Sequence, residues 1–420
     1  MVITMNQVTT QASVVIPSDL KVENRKQVLN AFLDGAEYSA GEIAQKTGIS
    51  RQTVKKAVRF FLDKQMLEFV GKGEPGGVGG KKPELYSIPK EKYFIFVVMG
   101  PDAISVSLVN MRGNTVDRYK HPEAIPRNAQ DAFSLAGELI NILLDKNEAD
   151  KSALVGAAVA TGGIVNYDTK QLKYNSVFPE WGVDIPVVDY LRPFMGVAPV
   201  FFIENAGKMA GRSLTLEKEL YDKRVLAVFS TGGLSACLIE NGRVLNGKAS
   251  LIGEIGHMII DPMDKERCSC GSHGCVERLV SMERIRSIIR SEIGEHPDSL
   301  LNSSEKITYD ILFEASASGD VFARRIIDYI ARMLSITLRN ITLTFDPDVI
   351  VFQGSYAHAD EYFSSRINAD LSEFNYFPEG GAFEIRYDKR PLNDLVILGA
   401  TKSLLDEYFS DPEHYTDSND

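Results

Sequence analysis

The chain has 420 residues with 46 basic and 57 acidic side chains, a net charge of -11, and is 44% hydrophobic and 25% charged. This allows two to three domains with ample core and excludes a disordered or fibrous chain. The longest apolar run, Tyr93 to Met99, falls far short of the roughly 20 residues that span a bilayer, and residues 1–20 show no export signal, so a cytoplasmic protein without a membrane partner is expected.

Residues 1–20 are expected to be a flexible N-terminus, residues 21–90 a separate head, and residues 91–420 the body. Residues 1–90 hold 13 Lys and Arg against 9 Asp and Glu, a net of +4, which leaves -15 for the rest. A basic head on an acidic body keeps nucleic acid open as a partner.

From Val22 to Asp34 the apolar residues Val28, Leu29, Phe32 and Leu33 recur at helical spacing, with Gly35 as a stop. Ser39-Ala-Gly-Glu42 reads as a capping box that opens a second helix, which ends at Thr47-Gly48. Ser50 is placed to cap a third helix running to about Lys64, with Val54, Ala57, Val58 and Phe61 on one face. Its other face carries Arg51, Gln52, Thr53, Lys55, Lys56 and Arg59. Two short helices around a Gly turn, the second beginning with cationic and amide side chains, form a helix-turn-helix of the kind that enters the DNA major groove. Met66 to Val70 and Leu85 to Ile88 can pair as strands around the Gly-rich stretch Gly71 to Lys82, giving a wing in which Lys81 and Lys82 reach phosphate or the minor groove.

In the body, Tyr93–Met99, Ile104–Asn110 and Thr115–Lys120 read as strands in hairpin succession, then a helix at Ala129–Leu144 and a strand at Ala153–Ala160. A similar order returns after Arg224: strands at Val225–Ser230, Ala236–Glu240 and Arg243–Leu245, then helices at Met282–Ile293, Thr308–Ser318, Val321–Thr344 and Glu361–Asn375, with a strand at Val349–Phe352 between the last two. Two similar α/β halves imply a cleft between them, a usual place for a small ligand.

Four cysteines are too few for a disulfide framework, and three of them crowd into Cys268-Ser-Cys-Gly-Ser-His-Gly-Cys275, just after Gly253-Glu-Ile-Gly-His257. Three thiolates with one imidazole make a closed tetrahedral set for a structural Zn²⁺. His273 offers an alternative imidazole but reads as exposed loop, and Cys237 sits in a strand pattern as core. Glu254, His257 and Glu277 bracket the metal in sequence, and carboxylates with a neutral imidazole are good partners for vicinal hydroxyls.

From Tyr93 to about Glu407 the chain resembles the ROK family of bacterial sugar kinases and sugar-responsive repressors. The resemblance rests on Gly253–His257, Cys268–Glu277 with Ser281, Asn175 with Trp181 after Thr161-Gly-Gly163, Glu204-Asn205, and Asp346-Pro-Asp-Val-Ile-Val351. It implies an α/β fold: a winged helix-turn-helix followed by a two-lobed, actin-like, hexokinase-type (ribonuclease H-like) body. The implied sugar site is Gly163, Asn175, Asn205, Glu254, His257 and Glu277. The implied zinc ligands are His257, Cys268, Cys270 and Cys275, one ion per chain, so that His257 serves both metal and sugar.

Departures from the family's kinases bear on activity. The kinases carry Glu-Asn-Asp with the aspartate as general base, where this chain has Glu204-Asn205-Ala206, and alanine accepts no proton. The phosphate-binding motifs are eroded as well, to Val98-Met-Gly-Pro-Asp102, Ser230-Thr-Gly-Gly-Leu-Ser-Ala236 and Gln353-Gly354. The expectation is a repressor of carbohydrate-utilisation genes without catalytic residues, binding double-stranded operator DNA and a sugar effector as a homodimer or higher even oligomer. Two alternatives stand beside it: a sugar kinase with a DNA-binding head, and a regulator that answers to a protein partner.

Overall fold

The computed structural model describes residues 17–32, 35–74, 82–100, 102–122, 125–196, 200–304, 306–373, 383–411, 413 and 415–416. The chain divides into two units, Met1–Lys92 with Leu405–Asp420, and Tyr93–Leu404. The first unit ends at Lys92, where the sequence reading set a boundary at 90/91. The terminal segment from Leu405, which the sequence left in the body, groups with the head.

In the first unit, α1 (Pro17–Asn30), β1 (Tyr38–Ser39), α2 (Ala40–Thr47) and α3 (Arg51–Asp63) precede two strands, β2 (Glu68–Lys72) and β3 (Glu84–Ser87), in a small sheet ordered β1-β3-β2. The helix α1 begins and ends earlier than its apolar spacing indicates, and Phe32 and Gly35 continue past it as a turn. The capping box is formed: Ser39 Oγ accepts from the Glu42 N–H, and the Glu42 carboxylate accepts from the Ser39 N–H. Gly48 takes the left-handed conformation at φ 73°, which ends α2 and turns the chain into α3. Ser50 accepts from the Thr53 N–H at the start of α3. Val28, Leu29, Phe32, Ile43, Val54, Val58 and Phe61 form the core of this unit.

The second unit holds the body. Its first lobe runs β4 (Tyr93–Met99), β5 (Ile104–Asn110), β6 (Thr115–Lys120), α4 (Ala129–Lys146), β7 (Leu154–Thr161), β8 (Ile164–Asn166), β9 (Gln171–Tyr174), β10 (Val183–Ile185), α5 (Val187–Met195) and β11 (Val200–Asn205). The helix α6 (Ala206–Arg212) leads into a second lobe of β12 (Val225–Ser230), β13 (Leu234–Glu240), β14 (Arg243–Val244), α7 (Val276–Leu279), α8 (Met282–Glu292), α9 (Tyr309–Ala317), α10 (Val321–Phe345), β15 (Val349–Gly354), α11 (Glu361–Ser372) and β16 (Glu384–Asp388). The helix α12 (Leu392–Ser410) follows, and its last residues belong to the first unit.

The sheets are ordered β11-β7-β4-β5-β6 and β14-β13-β12-β15-β16. In each, three antiparallel strands in hairpin succession are followed by two parallel strands added on the far side of the first. The duplicated order is the one the strand pattern indicated. The strands β11 and β16 and the hairpin sheet β8-β9-β10 were not foreseen. The central strands β7 and β12 are buried at every residue, as expected of strands covered on both faces. Among the described residues no helix is long and apolar enough to cross a membrane.

Candidate functional site

On α3, Arg51, Gln52, Lys55, Lys56 and Arg59 are exposed and Thr53 is half-buried, while Val54, Ala57, Val58 and Phe61 face inward. The cationic face is therefore free for a ligand. Lys82 is exposed beside β3; Lys81 lies outside the described residues.

In the body, the predicted sugar residues fall into two groups. In the first, Gly163 has φ 97°, and a Cβ there would lie 1.9 Å from the Tyr174 carbonyl oxygen, so only glycine lets the turn after β7 close on β9. Asn205 Nδ2 donates to the Gly163 carbonyl at 3.2 Å, and Asn205 Oδ1 caps α6 by accepting from the Gly207 and Lys208 N–H groups. Asn175 is fully enclosed: its Oδ1 accepts from the Val177 and Phe178 N–H groups and its Nδ2 donates to Thr161 Oγ1. It presents no surface to a ligand, because its amide is consumed in shaping the loop that carries Trp181.

Beneath this group Glu204 is almost wholly buried. Its carboxylate accepts from the Tyr167 hydroxyl, the Asn205 N–H, and Nε and Nη2 of Arg212. Burial together with Glu204 pushes the Tyr167 hydroxyl far up, and the carboxylate keeps Arg212 charged despite its burial. The network anchors Asn205 between β11 and α6.

The second group lies on the other lobe. Glu254 and His257 are joined by the His257 N–H donating to the Glu254 carbonyl at 3.1 Å. Glu277 Oε2 accepts from the Leu234 N–H at 2.9 Å, and a Cβ at Gly233 or Gly256 would come within 3.0 Å of that oxygen. Glu277 thus pins the turn between β12 and β13.

One residue that sequence reading missed links the two groups. Lys208, in the first turn of α6, is 4% exposed. Its ammonium lies 3.0 Å from Glu254 Oε1 and donates to the Ser250 carbonyl at 3.0 Å. Gly253 has φ 92°, and a Cβ there would meet the lysine stem at 3.0 Å and the Ala236 carbonyl oxygen at 2.0 Å. The signal in the sequence was a lysine three residues after Asn205, among the small residues Ala206, Gly207, Ala210 and Gly211.

The metal cluster forms where it was expected. The donor atoms of His257, Cys268, Cys270 and Cys275 all lie within 4.8 Å of one another. Cys268 Sγ is 3.5 Å from His257 Nδ1, and Cys270 Sγ is 3.6 Å from Cys275 Sγ. Those separations fit a tetrahedral ion with bonds of about 2.3 Å to sulfur and about 2.0 Å to nitrogen. The set can hold a metal ion, and because Nδ1 faces the thiols, Nε2 is left for another partner. Gly274, at φ 73°, has no room for a side chain against the Asp261 carbonyl. His273 is exposed, outside the donor set. Burial pushes the Cys237 thiol up to about 12, consistent with a neutral core residue.

Residues 94–395 match the model of the ROK family. The chain belongs to the ROK family. Among ROK relatives, the xylose repressor of Bacillus subtilis is 24% identical over 371 residues, covering 87% of this chain and 91% of that protein. The glucokinase of Halalkalibacterium halodurans is 27% identical over 279 residues, covering 64% of this chain and 82% of that protein. A solved ROK transcriptional regulator, a homologue of the Escherichia coli Mlc protein, superposes with a TM-score of 0.76 at 20% identity, covering 93% of this chain and all of that one. A ROK glucokinase from Streptomyces griseus, solved with glucose and AMPPNP, superposes with a TM-score of 0.61 at 19% identity over 74% of this chain and 98% of its own. The ROK body is thus the part shared with kinases, and likeness to regulators extends into the head.

Proposed function

We propose that the chain is a DNA-binding transcriptional repressor of carbohydrate-utilisation genes whose body binds a sugar effector and does not phosphorylate it. The observation that carries this reading is the winged helix-turn-helix with an exposed cationic α3 joined to a ROK body with Ala206 at the kinase base position. The xylose repressor and E. coli NagC, a DNA-binding transcriptional dual regulator, support it as relatives.

In this reading Arg51, Gln52, Thr53, Lys55, Lys56, Arg59, Lys81 and Lys82 meet DNA. The sugar is held by Gly163, Asn205, Glu254, His257 and Glu277, with Asn175 shaping the loop behind them. A structural Zn²⁺ on His257, Cys268, Cys270 and Cys275 fixes the imidazole so that Nε2 meets a hydroxyl. The sugar shifts operator affinity by its difference in affinity for two states of the protein, and a homodimer reads paired half-sites.

The test is a mobility-shift assay on operator DNA selected with the purified protein, repeated across a panel of neutral, acetylated and phosphorylated sugars. Failure of every sugar to alter retention overturns effector control. Sugar-dependent ATP turnover in a coupled assay would instead make the chain a kinase carrying a DNA-binding head.

A further inference from the structure

The effector site contains a charge arrangement that the family motif does not specify. Glu254 Oε1 is sealed from solvent and faces the Lys208 ammonium at 3.0 Å. The contact offsets the charge of the carboxylate within the site. Arg212, one turn further along α6, is committed to Glu204 and does not share this task.

Burying an ammonium is costly, and an apolar side chain of similar length would fill the same path more cheaply unless the charge is needed. The stem passes beneath Gly253, and the ammonium ends against the carbonyl of Ser250, which itself has φ 59°. Ser250, Gly253 and Glu254 thus pack around the lysine.

We propose that Lys208 is a specificity-determining residue of the effector site: by neutralising Glu254 it makes the site select a sugar that is uncharged at the group Glu254 receives. This rests on the reading of the body as a sugar sensor. A neutral hydroxyl donates to the Glu254 carboxylate without bringing unbalanced charge beside the Lys208–Glu254 pair. An ammonium at that place meets Lys208 as a like charge, and a carboxylate or phosphate meets Glu254 and Glu277 as like charges.

The experiment uses the full-length, zinc-loaded protein and measures affinities by calorimetry for D-glucose and D-xylose, for the monoamino-deoxy analogues of each, and for D-glucuronate. If neither neutral sugar nor any other in the panel binds the wild type, the sensor reading falls, and this inference with it. If a neutral sugar binds, Lys208→Met is expected to weaken it and to shift the amino-to-hydroxyl affinity ratio by about tenfold toward at least one amino analogue. Lys208→Arg restores the wild-type ratio. Equal losses for all ligands, with the ratio unchanged, mean that the lysine serves packing alone and overturn the inference.

Zinc content and melting temperature establish that each variant is folded. Should Lys208→Met fail to fold, Glu254→Gln keeps the lysine and tests the same arrangement from the other side. It is expected to move the preference toward the uronate, and a preference that stays with the neutral sugar overturns the inference.

Discussion

The ring of Tyr415 meets that of Phe61 edge-on, with 6.2 Å between centroids and an interplanar angle of 89°, in the core of the DNA-binding head. Tyr415 is 1% exposed. Its carbonyl accepts from the Arg25 guanidinium, which lies 3.4 Å from the centre of the Phe60 ring, and the Lys64 ammonium donates to the Glu413 carbonyl. The head is therefore completed by Glu413 and Tyr415. Tyr415→Ala is expected to cost the head on the order of 3 kcal/mol, as for other buried aromatic truncations. A chain ending at Ser410 should lose operator affinity while keeping its sugar-dependent thermal stabilisation. Unchanged hydrogen exchange in α1 and α3 of the truncated chain would refute this.

The helices of the head were legible because capping side chains, a turn glycine and a segregated apolar face are local signals, and Ser39, Gly48 and Val54 each supply one. The metal set was legible for the same reason, since three of its donors lie within eight consecutive residues. What escaped depends on long-range packing. Tyr415 gives no local sign that it belongs with Phe61, and β11 and β16 are parallel strands defined only by their neighbours β7 and β15. Asn175 and Asn205 were read as ligand contacts from a motif, and only the structure shows how far their amides are engaged by backbone. Lys208 was passed over because a lysine in a short helix reads as surface until its burial is seen.

Removing the metal tests the cluster directly. Zinc analysis of purified protein is expected to find one ion per chain, and Cys275→Ser, at a wholly buried donor, should abolish it. The body's melting temperature should then fall by roughly 5–10 °C. Sugar affinity should fall by about 10- to 100-fold, since His257 would lose the bond that orients it. Cys237→Ser leaves zinc content unchanged.

The exposed face of α3 predicts how binding responds to salt. Lys55→Ala and Lys56→Ala should each weaken DNA uniformly across sequences and reduce the slope of log affinity against log salt by about one. Changes at Arg51 or Gln52, which begin the helix, should alter which bases are preferred, at about 1–3 kcal/mol per lost base contact. A competition assay on randomised operators separates the two behaviours. Identical effects from both groups would show that α3 does not lie in the groove by its N-terminal end.

The end of the second sheet predicts a dependence on acid. Burial alone would raise the Asp388 carboxyl, but Nε and Nη2 of Arg390 and Nε2 of Gln353 all donate to it, and together they hold it below the ordinary carboxylate value. Gln353 and Asp388 are partners in the β15–β16 register, and Gln353 is fully buried, so the carboxylate fastens an edge strand to the core. A lowered folded-state value means that the contribution to stability is complete above the unfolded value of about 3.9 and is lost as pH falls through the folded one. Asp388→Asn is therefore expected to destabilise the body by about 1 kcal/mol near neutrality, a figure reduced for solvent screening. The gap from wild type should close progressively below about pH 4. Urea melts of both proteins between neutral and acid pH measure it, and a gap that persists unchanged in acid would show that the carboxylate's charge has no part in holding β16.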